Sequence, residues 1–226
     1  MIKGISSMAT HQLLAELVAD YKKSVNMAIA IASVGGVDAA KRVQAGEAFD
    51  VVFLSSEAID KLIASGHIDP TSKVNLVNSG VAVAVKAGAA APDISSEAAL
   101  KTAVLAAKTI SYSTGPSGVA LAKLFERWGI TEQIANRIVQ APSGVPVGSL
   151  VAKGEVELGF QQLSELIHLD GISIVGPLPP EIQITTTFSA GVCTASTQAG
   201  AVREMLAYMA SPAAVAAKLR QGLEVI

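Results

Sequence analysis

An α/β fold in two lobes is predicted by three observations. Apolar runs of strand length alternate with amphipathic helical segments over residues 1–64, joined by the short connections of βαβ units. The same alternation restarts over residues 97–160. Two long extended runs, 74–86 and 182–195, lead out of the first section and back into it, as a first lobe holding both chain ends requires. The expected boundaries are 1–79 with 190–226 for lobe 1 and 80–189 for lobe 2. Each lobe is expected to be a mostly parallel sheet flanked by helices. The two crossover segments, near Ser79 and Ser189, are expected to act as hinges beside a ligand cleft.

In the first lobe, strands are predicted at 2–5, 27–32 and 51–54, each rich in Ile, Val or Ala. Between and after them, apolar residues recur at helical spacing over 9–22, 37–45 and 57–64, and the last helix stops near Gly66, His67 and Pro70. The second lobe is predicted to hold helices at 97–107, 119–128 and 147–153 and strands at 109–112 and 156–160. A helix at 199–209 precedes a final one opened by Ser211 and Pro212, a serine cap followed by proline at the first helical position.

Composition narrows the class. At 226 residues the chain can bury roughly 70% of its unfolded surface. Half the residues are hydrophobic but only 4% are aromatic, a balance dominated by alanine and valine that suits helices packed closely on parallel strands. Net charge is −2 and no basic stripe is present, so nucleic acid is not an expected partner. Mean hydropathy is positive, yet no apolar run approaches the ~18 residues of a membrane span, and no membrane insertion is expected. Cys193 is the only cysteine and is expected to be a buried thiol. No CxxC, HExxH or His/Cys cluster occurs, and no metal or other cofactor is expected. Met1 runs straight into the first strand without a basic and apolar leader. The expected location is cytoplasmic if Met1 is the native start and periplasmic if a signal peptide has been removed.

The candidate site residues sit at strand-to-helix junctions. The run Ser-Thr-Gly-Pro-Ser-Gly, 113–118, follows a strand and opens a helix, and Ser6 and Ser7 repeat this arrangement at the start of the chain. A helix N-terminus carries unpaired N–H groups and the positive end of the helix dipole, so it stabilises an anion without a lysine. Ser6, Ser7, Ser117 and Gly118 are therefore expected to contact an anionic ligand, the other reading being plain helix caps. Gly35 and Gly36 allow close backbone approach, or form an ordinary turn. Ser55 and Ser56 end the third strand and offer another hydroxyl, Ser55 to the ligand, with a cap on the next helix as the other reading for one of them. Ser143, Gly144 and Val145 precede a further helix start, and Gln162 offers an amide after a strand. His11 stands in the first turn of the first helix and is the candidate acid/base or ligand contact, with a surface histidine as the alternative. Tyr112 and Glu165 are weaker candidates of the same kind.

These motifs, together with the segment Ala-Lys-Arg-Val-Gln-Ala-Gly-Glu-Ala-Phe-Asp-Val-Val at 40–52 and Glu-Leu-Gly-Phe-Gln-Gln at 157–162, resemble type II periplasmic binding proteins over nearly the whole chain. The resemblance is to the molybdate-binding-protein-like branch. Molybdate binders carry a serine after the second strand and a tyrosine on a late strand of the second lobe, where this sequence has residues 35–37 and Gln162. The stretches 159–166 and 176–183 look more like a subgroup that includes aconitate isomerase. That resemblance implies a small di- or tricarboxylate ligand rather than molybdate, and a cofactor-free isomerase that moves an allylic proton. It equally implies the alternative of a solute-binding protein for an ABC permease, if the chain is exported. A third alternative is an effector-sensing module, for which no DNA-binding helix-turn-helix is present in the sequence.

Overall fold

A computed structural model describes residues 1–226. In chain order it contains β1 (Ile2–Ser7), α1 (His11–Tyr21), β2 (Ile29–Val34), α2 (Gly36–Gln44), β3 (Val51–Ser55), α3 (Ser56–Ala64) and the long β4 (Val74–Lys86). There follow α4 (Glu97–Ala106), β5 (Ile110–Tyr112), α5 (Pro116–Arg127), α6 (Thr131–Ile134), α7 (Val147–Lys153), β6 (Leu158–Gln162), α8 (Leu163–Leu166) and β7 (Ile172–Pro177). The chain ends with β8 (Thr185–Val192), α9 (Ala199–Ala210), α10 (Val215–Arg220) and β9 (Glu224–Val225). No helix is long and apolar enough to cross a membrane.

The chain divides into two compact units, one of residues 1–79 with 186–226 and one of residues 80–185. In the first unit, β1 pairs in parallel with β2 and with β3, while β8 runs antiparallel to β3. Isoleucine, valine and phenylalanine alternate between the two faces of these strands. Ile2, Val51, Phe53 and Val192 pack with Leu13, Leu14 and Leu17 of α1 and Met205 and Met209 of α9. Ile5, Val52 and Leu54 pack on the other face with Ala39 and Val43 of α2 and Ile59 and Leu62 of α3. Cys193 is buried beside this second layer, where desolvation, reinforced by Asp50, pushes its thiol up to about 12.

In the second unit, β5 and β6 are parallel, whereas β4 runs antiparallel to both β6 and β7. The sheets are thus mixed rather than mostly parallel, because the long β4 and the returning strands enter against the direction of the βα repeats. Val83, Phe160, Leu121 and Phe125 form the core between this sheet and α5. Helix α4 begins with a capping serine: Ser96 Oγ accepts from the Ala99 N–H at 3.2 Å, with Glu97 in the first turn. Ser211 behaves differently from the expected cap. Its hydroxyl donates back to Tyr208 O at 2.7 Å, and Pro212 opens a 3-10 turn before α10.

Candidate functional site

In the first unit, parallel pairing aligns the C-terminal ends of β1, β2 and β3, so α1, α2 and α3 begin along a common sheet edge. Such an edge is where open α/β sheets hold ligands. Ser7 is the last residue of β1 and stands before a short 3-10 turn, Met8–Thr10, that leads into α1. It is buried, makes no cap hydrogen bond, and its Oγ has no partner. A buried hydroxyl without a partner costs about 1–3 kcal/mol, so Ser7 is not explained as a cap. Gly36 lies directly against it: a Cβ added there would stand 3.5 Å from Ser7 Cβ. Gly35 is the residue before α2 and carries an ordinary negative φ of −57°. Ser55 occupies the equivalent place before α3, buried and likewise without a cap hydrogen bond, while Ser56 is the first residue of α3.

Ser6 points to the other face of β1. Its Oγ lies 2.7 Å from Ser33 Oγ on β2, the residue paired with it in register, and Ser33 Oγ lies 2.9 Å from His11 Nδ1. His11 is exposed at the first position of α1. With Ser33 it lines a recess of about 90 Å³ floored by Leu14, Ala15, Val18 and Ile31. Ser33 is the residue that sequence reasoning missed. The signal was available in its register, since two parallel strands ending in Ile-Ser-Ser and Ala-Ser-Val place their serines side by side.

In the second unit, β5 delivers Ser113 to the start of α5, and β6 delivers Gln162 to the same end of the sheet, Tyr112 being paired with Phe160. Pro116 has no N–H and the first intrahelical bond runs from Val119 N to Gly115 O at 3.1 Å. The N–H groups of Ser117 and Gly118 are therefore the first-turn donors without an intrahelical partner. Ser113 Oγ accepts from Gly115 N at 3.3 Å and lies 3.4 Å from Ser117 Oγ. Gly118 is required by close approach, because a Cβ there would fall 1.7 Å from Ser113 O. Gln162 is buried within β6 opposite Val81, rather than in a loop after the strand.

Ser143 and Val145 lie in a turn in which the Val145 N–H donates to Pro142 O at 3.0 Å, with Gly144 at φ 77°. The start of α7 is tied instead to Gln161, whose Oε1 accepts from Gly148 N at 3.2 Å. The Gln161 amide also donates to Glu165 Oε2 at 2.7 Å. Burial pushes the Glu165 carboxyl up to about 7 against the opposing effect of this hydrogen bond. No three His, Cys, Asp or Glu side chains cluster closely enough to hold a metal ion. Both sheet edges thus present hydroxyls and helix N–H groups, a donor set suited to an anion.

A sheet edge of neutral donors on a mixed α/β scaffold is the architecture of a solute binder, and comparison with known proteins agrees. The family model for bacterial extracellular solute-binding proteins matches residues 2–224, and the chain belongs to that family. A relative from Pseudomonas sp., described as aconitate isomerase, is 37% identical over 97% of this chain and 86% of the relative. Among solved structures, the periplasmic molybdate-binding protein of Azotobacter vinelandii superposes with a TM-score of 0.83 at 21% identity, covering 100% of both chains. The sulfate-binding protein of Mycobacterium tuberculosis H37Rv gives 0.80 at 14% identity, covering 100% of this chain and 86% of that one. The fold is therefore molybdate-binding-protein-like.

Proposed function

We propose that this protein binds a small di- or tricarboxylate and isomerises an unsaturated one by allylic proton transfer. The observation that carries the binding half is Ser7, whose buried Oγ lacks any partner in the chain beside the start of α1. A ligand carboxylate accepting from it removes the cost of leaving it unsatisfied. Ser117 and Gly118 offer first-turn N–H groups without an intrahelical partner at the sheet edge of the second unit. The chemical half is supported by the 37% identical relative described as aconitate isomerase.

In such a reaction a base removes a proton from the methylene carbon, the double bond shifts, and the proton returns to the former vinylic carbon. Negative charge spreads onto a carboxylate in the dienolate, where fixed N–H and O–H donors stabilise it more than they stabilise the ground state. The group that carries the proton serves best if it titrates near neutrality. Glu165, pushed up to about 7 by burial, has that property; His11, at the first position of α1, is the other candidate carrier.

A second reading is favoured by the family itself: a solute-binding component that passes its carboxylate to an ABC permease. Thermal-shift screening against citrate, cis- and trans-aconitate, malonate, molybdate and sulfate tests the ligand class. Stabilisation by the carboxylates is expected. Stabilisation by molybdate or sulfate alone refutes it.

A further inference from the structure

In the second unit, Glu165 lies in α8 just after β6, and α5 opens just after the parallel β5. The carboxyl therefore shares a sheet edge with the free N–H groups of Ser117 and Gly118. Its side chain has one hydrogen-bonding partner, the Gln161 amide, whose orientation the contacts fix. The Gly148 N–H can only donate, so the amide oxygen faces it at 3.2 Å and the NH2 faces Glu165 Oε2 at 2.7 Å. No cation balances the carboxyl. Ala82 and Ala84 of β4 and Ile172 of β7 pack with Leu166, and Gly148 of α7 lies against Leu166 and Leu169. The charged residues of these elements, Lys86 of β4 and Lys153 of α7, stand at the opposite end of the sheet, Lys86 beside Gly154. His168 and Asp170 follow α8, yet burial and the Gln161 hydrogen bond are the only influences on the carboxyl. Tyr112 pairs with Phe160, so Ser113 stands level with Gln161 on the neighbouring strand. One strand spacing, one glutamine side chain and the 2.7 Å bond put the carboxyl within roughly 13 Å of Ser113, whose Oγ is 3.4 Å from Ser117 Oγ.

We infer that anion binding at the head of α5 is linked to proton uptake by Glu165: the neutral carboxyl admits the anion and the ionised carboxylate repels it. This deepens the proposed function and rests on its anion site. The linkage acts through the electric field, so it needs no contact between Glu165 and the ligand. Two like charges roughly 10–13 Å apart at an effective dielectric of about 20 shift an equilibrium by about tenfold, which screening reduces to roughly three- to tenfold. By reciprocity, the bound anion strengthens proton binding at Glu165 by the same factor. Burial without a counter-charge pushes the carboxyl up to about 7, so affinity is full on the acid side of that value and falls as pH rises through it.

The test is calorimetric titration with citrate between about pH 6 and 8.5, a range that brackets the Glu165 transition. Citrate's own titration is common to every variant, so the ratio of wild-type to Glu165→Gln dissociation constants isolates Glu165. That ratio should be about 1 at pH ~6 and rise to roughly 3–10 at pH ~8.5. At pH ~7.5, titrations in buffers of different ionisation heat should show wild type taking up about 0.3–0.5 proton more than Glu165→Gln. Glu165→Leu, likewise neutral, should match Glu165→Gln, and Glu165→Asp should restore a pH dependence. A purely structural role would change affinity by one factor at every pH and leave the proton count unmoved. Equal pH dependence in wild type and both neutral variants overturns the linkage and leaves the carboxylate site in place. Absence of citrate binding by every variant at every pH overturns the carboxylate reading and the linkage with it.

Discussion

Replacing Glu165 by glutamine should change how stability depends on pH, and the structure sets the size of the effect. The Glu165 carboxylate accepts from the Gln161 amide at 2.7 Å, but burial dominates and pushes it up to about 7. An unfolded glutamate titrates at ~4.3, and each pKa unit corresponds to about 1.36 kcal/mol. The full gap is worth about 3–4 kcal/mol, and relaxation around the partly exposed side chain should reduce the measured value to about 1–3 kcal/mol. Between these two pH values the folded chain retains a proton that the unfolded chain has lost. Stability from this group is thus fully present below pH ~4.3 and is lost as pH rises through about 7. The amide introduced by Glu165→Gln would accept the same hydrogen bond without titrating. The variant should therefore gain on wild type by about 1–3 kcal/mol between pH ~4.5 and ~8. Urea denaturation followed by circular dichroism across that range measures the difference. Parallel curves for the two proteins would refute the claim that the carboxyl is buried without a counter-charge.

Further substitutions probe the two sheet edges. Ser7→Ala should leave the ligand-free protein equally stable or up to about 2 kcal/mol more stable, because it deletes a buried hydroxyl that has no partner. The same change should weaken carboxylate binding at least roughly tenfold by calorimetry, and unchanged affinity would remove Ser7 from the site. Ser117→Ala should cost about 1.5–3 kcal/mol of binding free energy, the range for a hydrogen bond to a charged group, with little effect on the melting temperature. Gly118→Ala places a Cβ 1.7 Å from Ser113 O and should destabilise by at least about 1–3 kcal/mol. Gly36→Ala meets only Ser7 Cβ at 3.5 Å and Leu54 Cδ2 at 3.8 Å and should stay within about 1 kcal/mol of wild type in thermal melts.

Elements with strong periodicity were legible from residues alone. The run that became β4, Val74–Lys86, alternates and is bounded by polar turns. Helices α4 and α7 follow from apolar spacing. What escaped was structure decided by partners distant in sequence. Strand β7, Ile172–Pro177, is largely exposed and forms by pairing with β4, so no buried face marks it. Gln161 and Gln162 read as following the strand at 156–160, yet both lie within β6 and pair with β4. At the candidate site, hydroxyls beside helix starts are visible as Ser-Ser and Gly-Pro-Ser-Gly. Whether they cap or remain open is not, since a capping serine and an unpartnered one share the same letters. The link from Ser6 to His11 through Ser33 depends on β1 and β2 being parallel and in register, a property of the sheet rather than of either segment.

The central claim, binding of an unsaturated carboxylate followed by allylic proton transfer, is tested most directly by proton NMR of trans-aconitate incubated with the protein in deuterium oxide, without added metal or nucleotide. The expected result is conversion to the cis isomer with deuterium entering the product, because the migrating proton passes through an exchangeable side chain. Saturable binding with neither conversion nor deuterium uptake over many hours would contradict it and leave the solute-binding reading in its place.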